Sequence, residues 1–325
     1  MTHAPTHAPK RLLTRIIDVH SHAIFADLGA QAPMSDLPAW SPEQTLALMD
    51  AHGVAACVLS IPFAANFADG AQACDTARRV NERLAEIVQR HPSRFGAVAS
   101  LPGRSVDGCL EEMAYALDVL KLDGVTTTTN IDGAYLGDAR FNPWFAEMDR
   151  RGVTLFVHPI GNPAAGKVDL GLNPSLLEFM FDSTRMVANM VCSGAKRRFA
   201  NIRMISTHGG GTVPYLATRL ETLTQVFGNG EGRTPLSAEE IRAGLASFYY
   251  DITAATSPAQ LYALRQLVPA SQLLMGLDHP FMPAWTFQPA IDAAARWDGF
   301  SDGDLTAVAH GNAAQLYPAL AHRIG

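Results

Sequence analysis

Short apolar runs rich in branched side chains alternate along this chain with longer stretches of helical periodicity. Polar or glycine-bearing connections separate most of the runs from the stretches that follow them. Eight strands alternating with helices are typical of an α/β protein. The apolar runs predict these strands at Arg15 to His22, Val54 to Pro62, Arg94 to Leu101, Gly124 to Asn130, Val153 to Pro159, Ile202 to His208, Ser247 to Thr253 and Gln272 to Asp278.

The stretches between the strands carry apolar residues at helical spacing. Several begin with serine or asparagine followed by proline, as in Ser41-Pro42 and Ser257-Pro258, which is a cap followed by the first helical turn. Eight β/α units in one chain of this length predict a closed (β/α)8 TIM barrel. The predicted helices are Pro42 to His52, Asp75 to His91, Val106 to Lys121, Pro143 to Arg151, Pro174 to Gly194, Val213 to Phe227 and Pro258 to Leu267.

An open doubly wound sheet would also alternate strands and helices. It would usually have a glycine-rich phosphate loop after the first strand, whereas this chain has His20-Ser21-His22 there. No dinucleotide or Walker fingerprint occurs elsewhere in the sequence. We therefore expect a barrel with no nucleotide or organic cofactor.

Composition indicates the size of the core, the number of domains and the state of the cysteines. The chain has 325 residues, 48% of them hydrophobic, which is enough for a large core. We interpret residues 14–325 as one catalytic barrel domain, and residues 1–13, with their repeated Thr-His-Ala-Pro, as a disordered tail. Four scattered cysteines without Cys-x-x-Cys spacing favour reduced thiols.

Charge and hydropathy narrow the class of partner. A net charge of -6 and the absence of any basic run argue against nucleic acid and membrane surfaces as partners. No apolar stretch approaches the length of a membrane helix, and the first residues lack the apolar region of a signal peptide. We expect a cytoplasmic protein that acts on a small molecule.

Chemically active side chains close several of the predicted strands. His20 and His22 are two positions apart, so they point to the same side of the first strand. His158, His208 and Asp278 close the fifth, sixth and eighth strands. One such histidine is most simply a hydrogen-bonded core residue, but four histidines and an aspartate around one barrel mouth are typical of a catalytic metal site.

These motifs are similar to those of a known family. Asp18-x-His20-x-His22, Phe156-Val157-His158-Pro159, Thr207-His208-Gly209-Gly210-Gly211 and Gly276-x-Asp278-x-Pro280-Phe281 resemble the amidohydrolase superfamily, in its aminocarboxymuconate semialdehyde decarboxylase branch. Finer features, such as Trp40-Ser41-Pro42-Glu43 and Phe181-Asp182-Ser183-Thr184-Arg185, resemble its 6-methylsalicylate decarboxylase group. The branch commonly has Ser or Thr before the metal-site aspartate and Tyr after it, where this chain has Leu277 and His279.

The resemblance implies one divalent metal ion held by His20, His22, His158 and Asp278. Zinc is the expected ion, and manganese is also compatible with these ligands. Binuclear members use a carbamylated lysine from the end of the fourth strand, and Gly124 to Asn130 contains none, so we expect a mononuclear site. The resemblance also implies a homodimer or a higher homo-oligomer.

Catalysis is assigned to Asp278 and His208. The resemblance implies a non-oxidative decarboxylase of a small hydroxylated aromatic acid, such as a salicylate-type acid, in which Asp278 and His208 handle protons. The same ligands would also serve a hydrolase of a lactone, ester or amide. A barrel that binds metal and ligand without turnover is a third hypothesis.

Further residues have both a functional and a structural interpretation. Asn130 would contact substrate or cap a loop. Arg185 would anchor a substrate carboxylate, or form an intrahelical ion-pair network with Glu178 and Asp182, because the three share one helix face. Asp18 points with His20 and His22, and it would orient one of them. The long connection over residues 160–173 would cover the site. Three aromatic residues that follow strand ends would line the pocket or pack in the core: Phe63, Phe281 and Trp285.

Overall fold

Eight parallel strands lie side by side in chain order in the computed structural model, which describes residues 13–27, 37–61, 70–163 and 170–325. Hydrogen-bonded ladders join each strand to the next. The strands are β1 (Ile16–His22), β2 (Val54–Ser60), β3 (Phe95–Ser100), β4 (Gly124–Thr128), β5 (Thr154–His158), β6 (Arg203–Ser206), β7 (Tyr249–Asp251) and β8 (Leu273–Leu274).

A seam of backbone hydrogen bonds closes the barrel between β1 and the segment after β8. The N–H of Val19 donates to the carbonyl of Met275 at 3.0 Å, and the N–H of Asp278 donates to the carbonyl of His20 at 2.7 Å. The predicted (β/α)8 barrel is therefore confirmed. The eighth strand is shorter than predicted, because residues 275–278 bond to β1 as a seam rather than as a regular ladder.

Helices surround the barrel. Ser41 caps α1 by accepting the N–H of Gln44 at 3.2 Å, and Ser257 forms a capping box with Gln260, as serine before proline predicts. The helices are α1 (Pro42–His52), α2 (Gly70–Arg90), α3 (Val106–Ala114), α4 (Asn142–Arg151), α5 (Glu178–Cys192), α6 (Ala195–Arg198), α7 (Val213–Phe227), α8 (Ala238–Leu245), α9 (Pro258–Leu267), α10 (Phe287–Arg296), α11 (Asp302–Thr306), α12 (Asn312–Leu316) and α13 (Pro318–Ile324).

Two predicted helices contain turns that are not α-helical, and α2 begins at Gly70, before the predicted start at Asp75. The predicted helix from Pro174 to Gly194 divides at Leu177, whose backbone leaves the helical region, so a 3-10 turn precedes α5. The predicted end of α3 widens into a π-helical turn over Tyr115–Val119. A short hairpin, Asn130–Ile131 with Ala134–Tyr135, follows β4 instead of a continuous fourth strand.

The C-terminal helices fill the barrel interior at the N-terminal ends of the strands. Inward-facing side chains of the strands, among them Val19, Val58 and Phe156, form a cluster with Leu316 and Leu320. These residues are almost fully buried. A larger core lies between the strands and the outer helices. The interior is thus packed at the N-terminal end of the strands and leaves the C-terminal end for chemistry.

Some predictions fall partly outside the described residues. Of the predicted tail, residues 1–12 lie outside them, and Leu13 is buried in the core. The single-domain organisation stays a prediction. The four cysteines are free thiols, two of them buried. Within the described ranges, no helix combines the length and apolar character needed to cross a membrane.

Candidate metal centre

Four side chains converge at the C-terminal mouth of the barrel. His20 and His22 come from β1, His158 ends β5, and Asp278 follows β8. One potential ligand atom from each lies within 4.8 Å of the others, and all four residues are buried. Oδ1 of Asp278 is 3.1 Å from Nε2 of His22 and 3.4 Å from Nε2 of His20. The strand-end pattern therefore located residues that the fold brings together.

Each of the three imidazoles is held through its Nδ1 atom. Nδ1 of His20 lies 2.9 Å from Oδ2 of Asp251, and Nδ1 of His22 lies 2.9 Å from Oγ of Ser60. Nδ1 of His158 lies 2.7 Å from the carbonyl oxygen of Pro159. A carboxylate and a carbonyl accept only, so His20 and His158 carry their proton on Nδ1. In the neutral form of each ring, the Nε2 lone pair is then available to a metal ion.

The charges at the centre favour a cation. Burial alone would lower the pKa of His20, yet the carboxylates of Asp251 and Asp278 raise it to about 9. Burial opposes ionisation of Asp278, but His20 and His22 hold the pKa of this carboxyl well below its usual range. Burial lowers the pKa values of His22 and His158, so both favour the neutral form that binds metal.

The donor set fits a divalent ion. Nε2 of His20 and Oδ1 of Asp278 are buried, and neither makes a hydrogen bond within the described part of the chain. Buried polar atoms without partners are unfavourable unless something else satisfies them. Three imidazole nitrogens and one carboxylate oxygen are ligands suited to zinc or manganese.

Asp251 is a site residue that the sequence analysis missed. It ends β7, is fully buried, and accepts the backbone N–H of His208 at 2.9 Å in addition to its contact with His20. The available signal was a carboxylate near the end of the predicted seventh strand, Ser247 to Thr253. Asp18, predicted to orient an imidazole, instead accepts the backbone N–H groups of His20 at 2.9 Å and Leu277 at 3.0 Å. It therefore ties β1 to the seam.

His208 stands beside the four ligands. Its ring centroid is 4.9 Å from that of His20 and 5.7 Å from that of His158. Burial lowers the pKa of His208. His208 and the three glycines after it have positive φ, which turns the chain sharply from β6 towards α7. This turn brings the imidazole over the mouth of the barrel.

The remaining predicted residues have different surroundings. Phe281 is half-buried, with its ring 5.3 Å from that of His22, so it lies beside the centre. Phe179 of α5 packs its ring 6.0 Å from that of His158. Trp285 is 77% exposed, so its predicted core or pocket position is wrong. Phe63 and residues 164–169 of the predicted cover lie outside the described residues.

The predicted ion-pair network on α5 is also wrong. Asp182 is completely buried and bonds to the ends of β4 and β5, and no ion pair in the described ranges joins it to Glu178 or Arg185. Arg185 is exposed, with its guanidinium 6.0 Å from the Phe181 ring. Asn130 accepts the N–H of Gly133 at 3.1 Å and caps the hairpin. Substrate contact by Asn130 or Arg185 stays a prediction.

Known proteins are similar to this chain in sequence and in fold. The amidohydrolase family profile matches residues 17–319. The chain belongs to the amidohydrolase family. Decarboxylase macB of Penicillium terrestre is 31% identical to this amidohydrolase over 93% of the chain and 94% of its own length. The 6-methylsalicylic acid decarboxylase acuB of Aspergillus aculeatus is 30% identical over 94% and 96%, respectively.

Among solved structures, a dihydroxybenzoic acid decarboxylase from Polaromonas sp. JS666 has bound manganese and the inhibitor 2-nitroresorcinol. It superposes on this amidohydrolase with a TM-score of 0.81, covering 94% of this chain and 97% of that one. The two sequences are 22% identical, so this likeness is one of fold. It confirms the predicted barrel. The family match and the related decarboxylases above confirm the predicted family and the enzyme class, a metal-dependent carboxy-lyase.

Proposed function

We propose that this amidohydrolase removes the carboxyl group, as carbon dioxide, from a small hydroxylated aromatic acid of the salicylate type. The observation that carries the proposal is the buried cluster of His20, His22, His158 and Asp278, with His208 beside it. Its occurrence in a chain related over nearly its full length to a 6-methylsalicylic acid decarboxylase supports this substrate class.

One divalent ion would be held by His20, His22, His158 and Asp278. When bound, it would supply a Lewis acid that fixes a substrate carboxylate and a neighbouring phenolic oxygen. Zinc and manganese both suit these ligands, and manganese is present in the dihydroxybenzoic acid decarboxylase of the same fold. The half-buried ring of Phe281, beside His22, offers an apolar wall to an aromatic ring.

The proposed reaction adds one proton to the ring carbon that carries the carboxylate. The bond from that carbon to the carboxylate then breaks, its electron pair restores the aromatic ring, and carbon dioxide leaves. Asp278 and His208 are the side chains that we assign to proton transfer. Burial lowers the pKa of His208, and although burial opposes ionisation of Asp278, His20 and His22 hold the pKa of that carboxyl below its usual range, so the resting site favours a neutral imidazole and a carboxylate. The proton consumed in each turnover therefore comes from solvent through one of them.

The experiment is to incubate protein loaded with Zn²⁺ or Mn²⁺ with salicylate, 6-methylsalicylate and 2,6-dihydroxybenzoate, and to measure carbon dioxide. Parallel reactions contain an aromatic lactone and an aryl ester. We expect carbon dioxide from at least one acid and no hydrolysis above the metal-only rate. Lactone or ester turnover without carbon dioxide would instead establish a hydrolase. Full metal occupancy with no turnover of any compound would indicate a binding protein.

A further inference from the structure

Asp182 of α5 accepts hydrogen bonds from the two connections that follow β4 and β5, although it lies outside the metal-ligand set. Its oxygens accept from the hydroxyl of Thr129, the amide of Asn130 and the hydroxyl of Tyr135. They also accept the backbone N–H groups of Ile160 at 3.2 Å and Gly161 at 3.1 Å. No lysine or arginine in the described ranges pairs with this buried carboxylate, so these donors alone compensate its burial.

The hydrogen bond from the N–H of Ile160 to Asp182 links Asp182 to His158, because both residues contact the same peptide group. The N–H of Ile160 and the carbonyl of Pro159 are the two ends of one peptide unit. That carbonyl accepts the Nδ1 proton of His158 at 2.7 Å. A chain of hydrogen bonds therefore runs from Asp182 through one peptide to the imidazole of His158. Hydrogen bonds in such a chain polarise one another.

The other two imidazoles of the metal centre have side-chain partners on Nδ1, whereas His158 has a backbone partner. His20 has a carboxylate, Asp251, directly on Nδ1, and His22 has the hydroxyl of Ser60. Partners of this kind fix the ring orientation and increase the basicity of a metal-binding histidine. His158 has only a peptide carbonyl, which is a weaker partner than a carboxylate. Asp182 supplies the negative charge from the far side of that peptide.

We propose that Asp182 is a positioning residue for His158, acting through the Pro159–Ile160 peptide. The inference rests on the metal centre of the proposed function, but not on the identity of the substrate. In Asp182→Asn, one oxygen is replaced by an NH2 group that faces donors, so the loop after His158 loses an acceptor. The end of β5 is also held by Thr129, the residue after β4, whose N–H donates to the carbonyl of His158 at 3.0 Å.

The test compares Asp182→Asn with Ser183→Ala. Ser183 is the next residue and equally buried, but its hydroxyl makes no hydrogen bond within the described part of the chain. Zn²⁺ affinity is measured by competition with a chelator, and the Nδ1–H signal of His158 by NMR of protein labelled with ¹⁵N-histidine. We expect Asp182→Asn to weaken Zn²⁺ binding roughly 10–100-fold and to shift the His158 signal. Ser183→Ala should change neither.

A third variant distinguishes the hydrogen bonds that run through the Pro159–Ile160 peptide from the other hydrogen bonds of Asp182. The hydroxyl of Tyr135 donates to Oδ1 of Asp182, whereas the Ile160 N–H donates to Oδ2. Tyr135→Phe should therefore change Zn²⁺ affinity less than about threefold. A folded Asp182→Asn protein with wild-type affinity and an unshifted His158 signal would overturn the proposal. If the wild-type protein binds neither Zn²⁺ nor Mn²⁺, the proposed function fails instead.

A second measurement uses the wild-type protein alone. If the Asp182 contact supports metal binding, metal binding must stabilise that contact to the same degree. Amide hydrogen exchange of Ile160 and Gly161 in the wild-type protein should therefore slow at least about tenfold on adding Zn²⁺. The amide of Val191 at the other end of α5 serves as the internal reference. Equal exchange with and without bound Zn²⁺ would refute the coupling.

Discussion

Asp251 holds two groups of the candidate metal centre at once. One of its oxygens faces Nδ1 of His20, and the other accepts the backbone N–H of His208. In Asp251→Asn, the amide oxygen can still serve one donor, but the NH2 group can accept from neither. We expect the dissociation constant for Zn²⁺ to rise about 10–100-fold, measured by chelator competition. Asp50→Asn, at an exposed carboxylate that pairs with Arg94, is the control and should leave it unchanged.

His208 is adjacent to the ligands but is not one of them in our assignment. His208→Gln should lower kcat for decarboxylation by about 10²–10⁴-fold, because it removes a proton-transfer group. Bound metal, measured by mass spectrometry of the desalted protein, should stay at one ion per chain. His52→Gln, on α1, should alter neither quantity. Loss of the ion from His208→Gln would show that His208 is itself a ligand.

Lys196 is a buried cation that the proposed chemistry does not use. It is 4% exposed, and burial lowers its pKa from 10.5 to about 8. Below pH 8 the folded protein must charge this amine in a poor environment, whereas above pH 10.5 it is neutral in both states. Lys196→Met should therefore raise the free energy of unfolding at pH 7 by at most about 3 kcal/mol. Urea unfolding should show this gain disappearing as the pH rises from 8 to 10.5, and a gain independent of pH would contradict it.

At the scale of elements, the turn from β6 into α7 depends on close packing against α5. A Cβ atom on Gly211 would lie 2.0 Å from the carbonyl oxygen of Met180, and its φ is +65°. Gly211→Ala should lower the free energy of unfolding by more than about 3 kcal/mol, because strain and overlap add. It should also lower decarboxylase activity, since His208 begins the same turn. Gly152→Ala, at φ +61° with open space, should lose only about 1 kcal/mol.

Helix and strand positions could be predicted where the signal is local. Ser41 and Ser257 mark helix starts, because a hydroxyl before proline can satisfy free N–H groups of its own first turn. Asp182 could not be placed in this way. Spacing on α5 shows that Glu178, Asp182 and Arg185 share a face, but not that Asp182 packs against loops distant in sequence. For the same reason the spacing predicted an ion pair where a buried carboxylate has only neutral donors.

At the scale of the whole molecule, the strand ends at His158, His208 and Asp278 could be predicted as one site, because a barrel brings all C-terminal strand ends to one mouth. The contact between Asp251 and His20 joins residues from different strands, and only the register of the closed barrel determines it. The packing of the C-terminal helices inside the barrel was likewise outside what local periodicity can show. These features depend on the assembled fold.

Leu320 tests this packing. It is fully buried among strand residues at the base of the barrel. Leu320→Ala should lower the free energy of unfolding by about 2–5 kcal/mol, because it leaves a cavity at the base of the barrel. Thermal and urea unfolding would measure the loss. Leu176→Ala, at a side chain 68% exposed, should change stability by less than about 0.5 kcal/mol.

The seam between β1 and the segment after β8 also has a consequence for biosynthesis. His20 and His22 leave the ribosome long before Asp278, by roughly 10–50 s at ordinary rates of translation. During that interval the histidine pair has neither its carboxylate partner nor the backbone bonds that hold β1 in place. Tight capture of a metal ion therefore follows completion of the chain. An ion that binds earlier, to a nascent β1, remains free to exchange with the cellular pool.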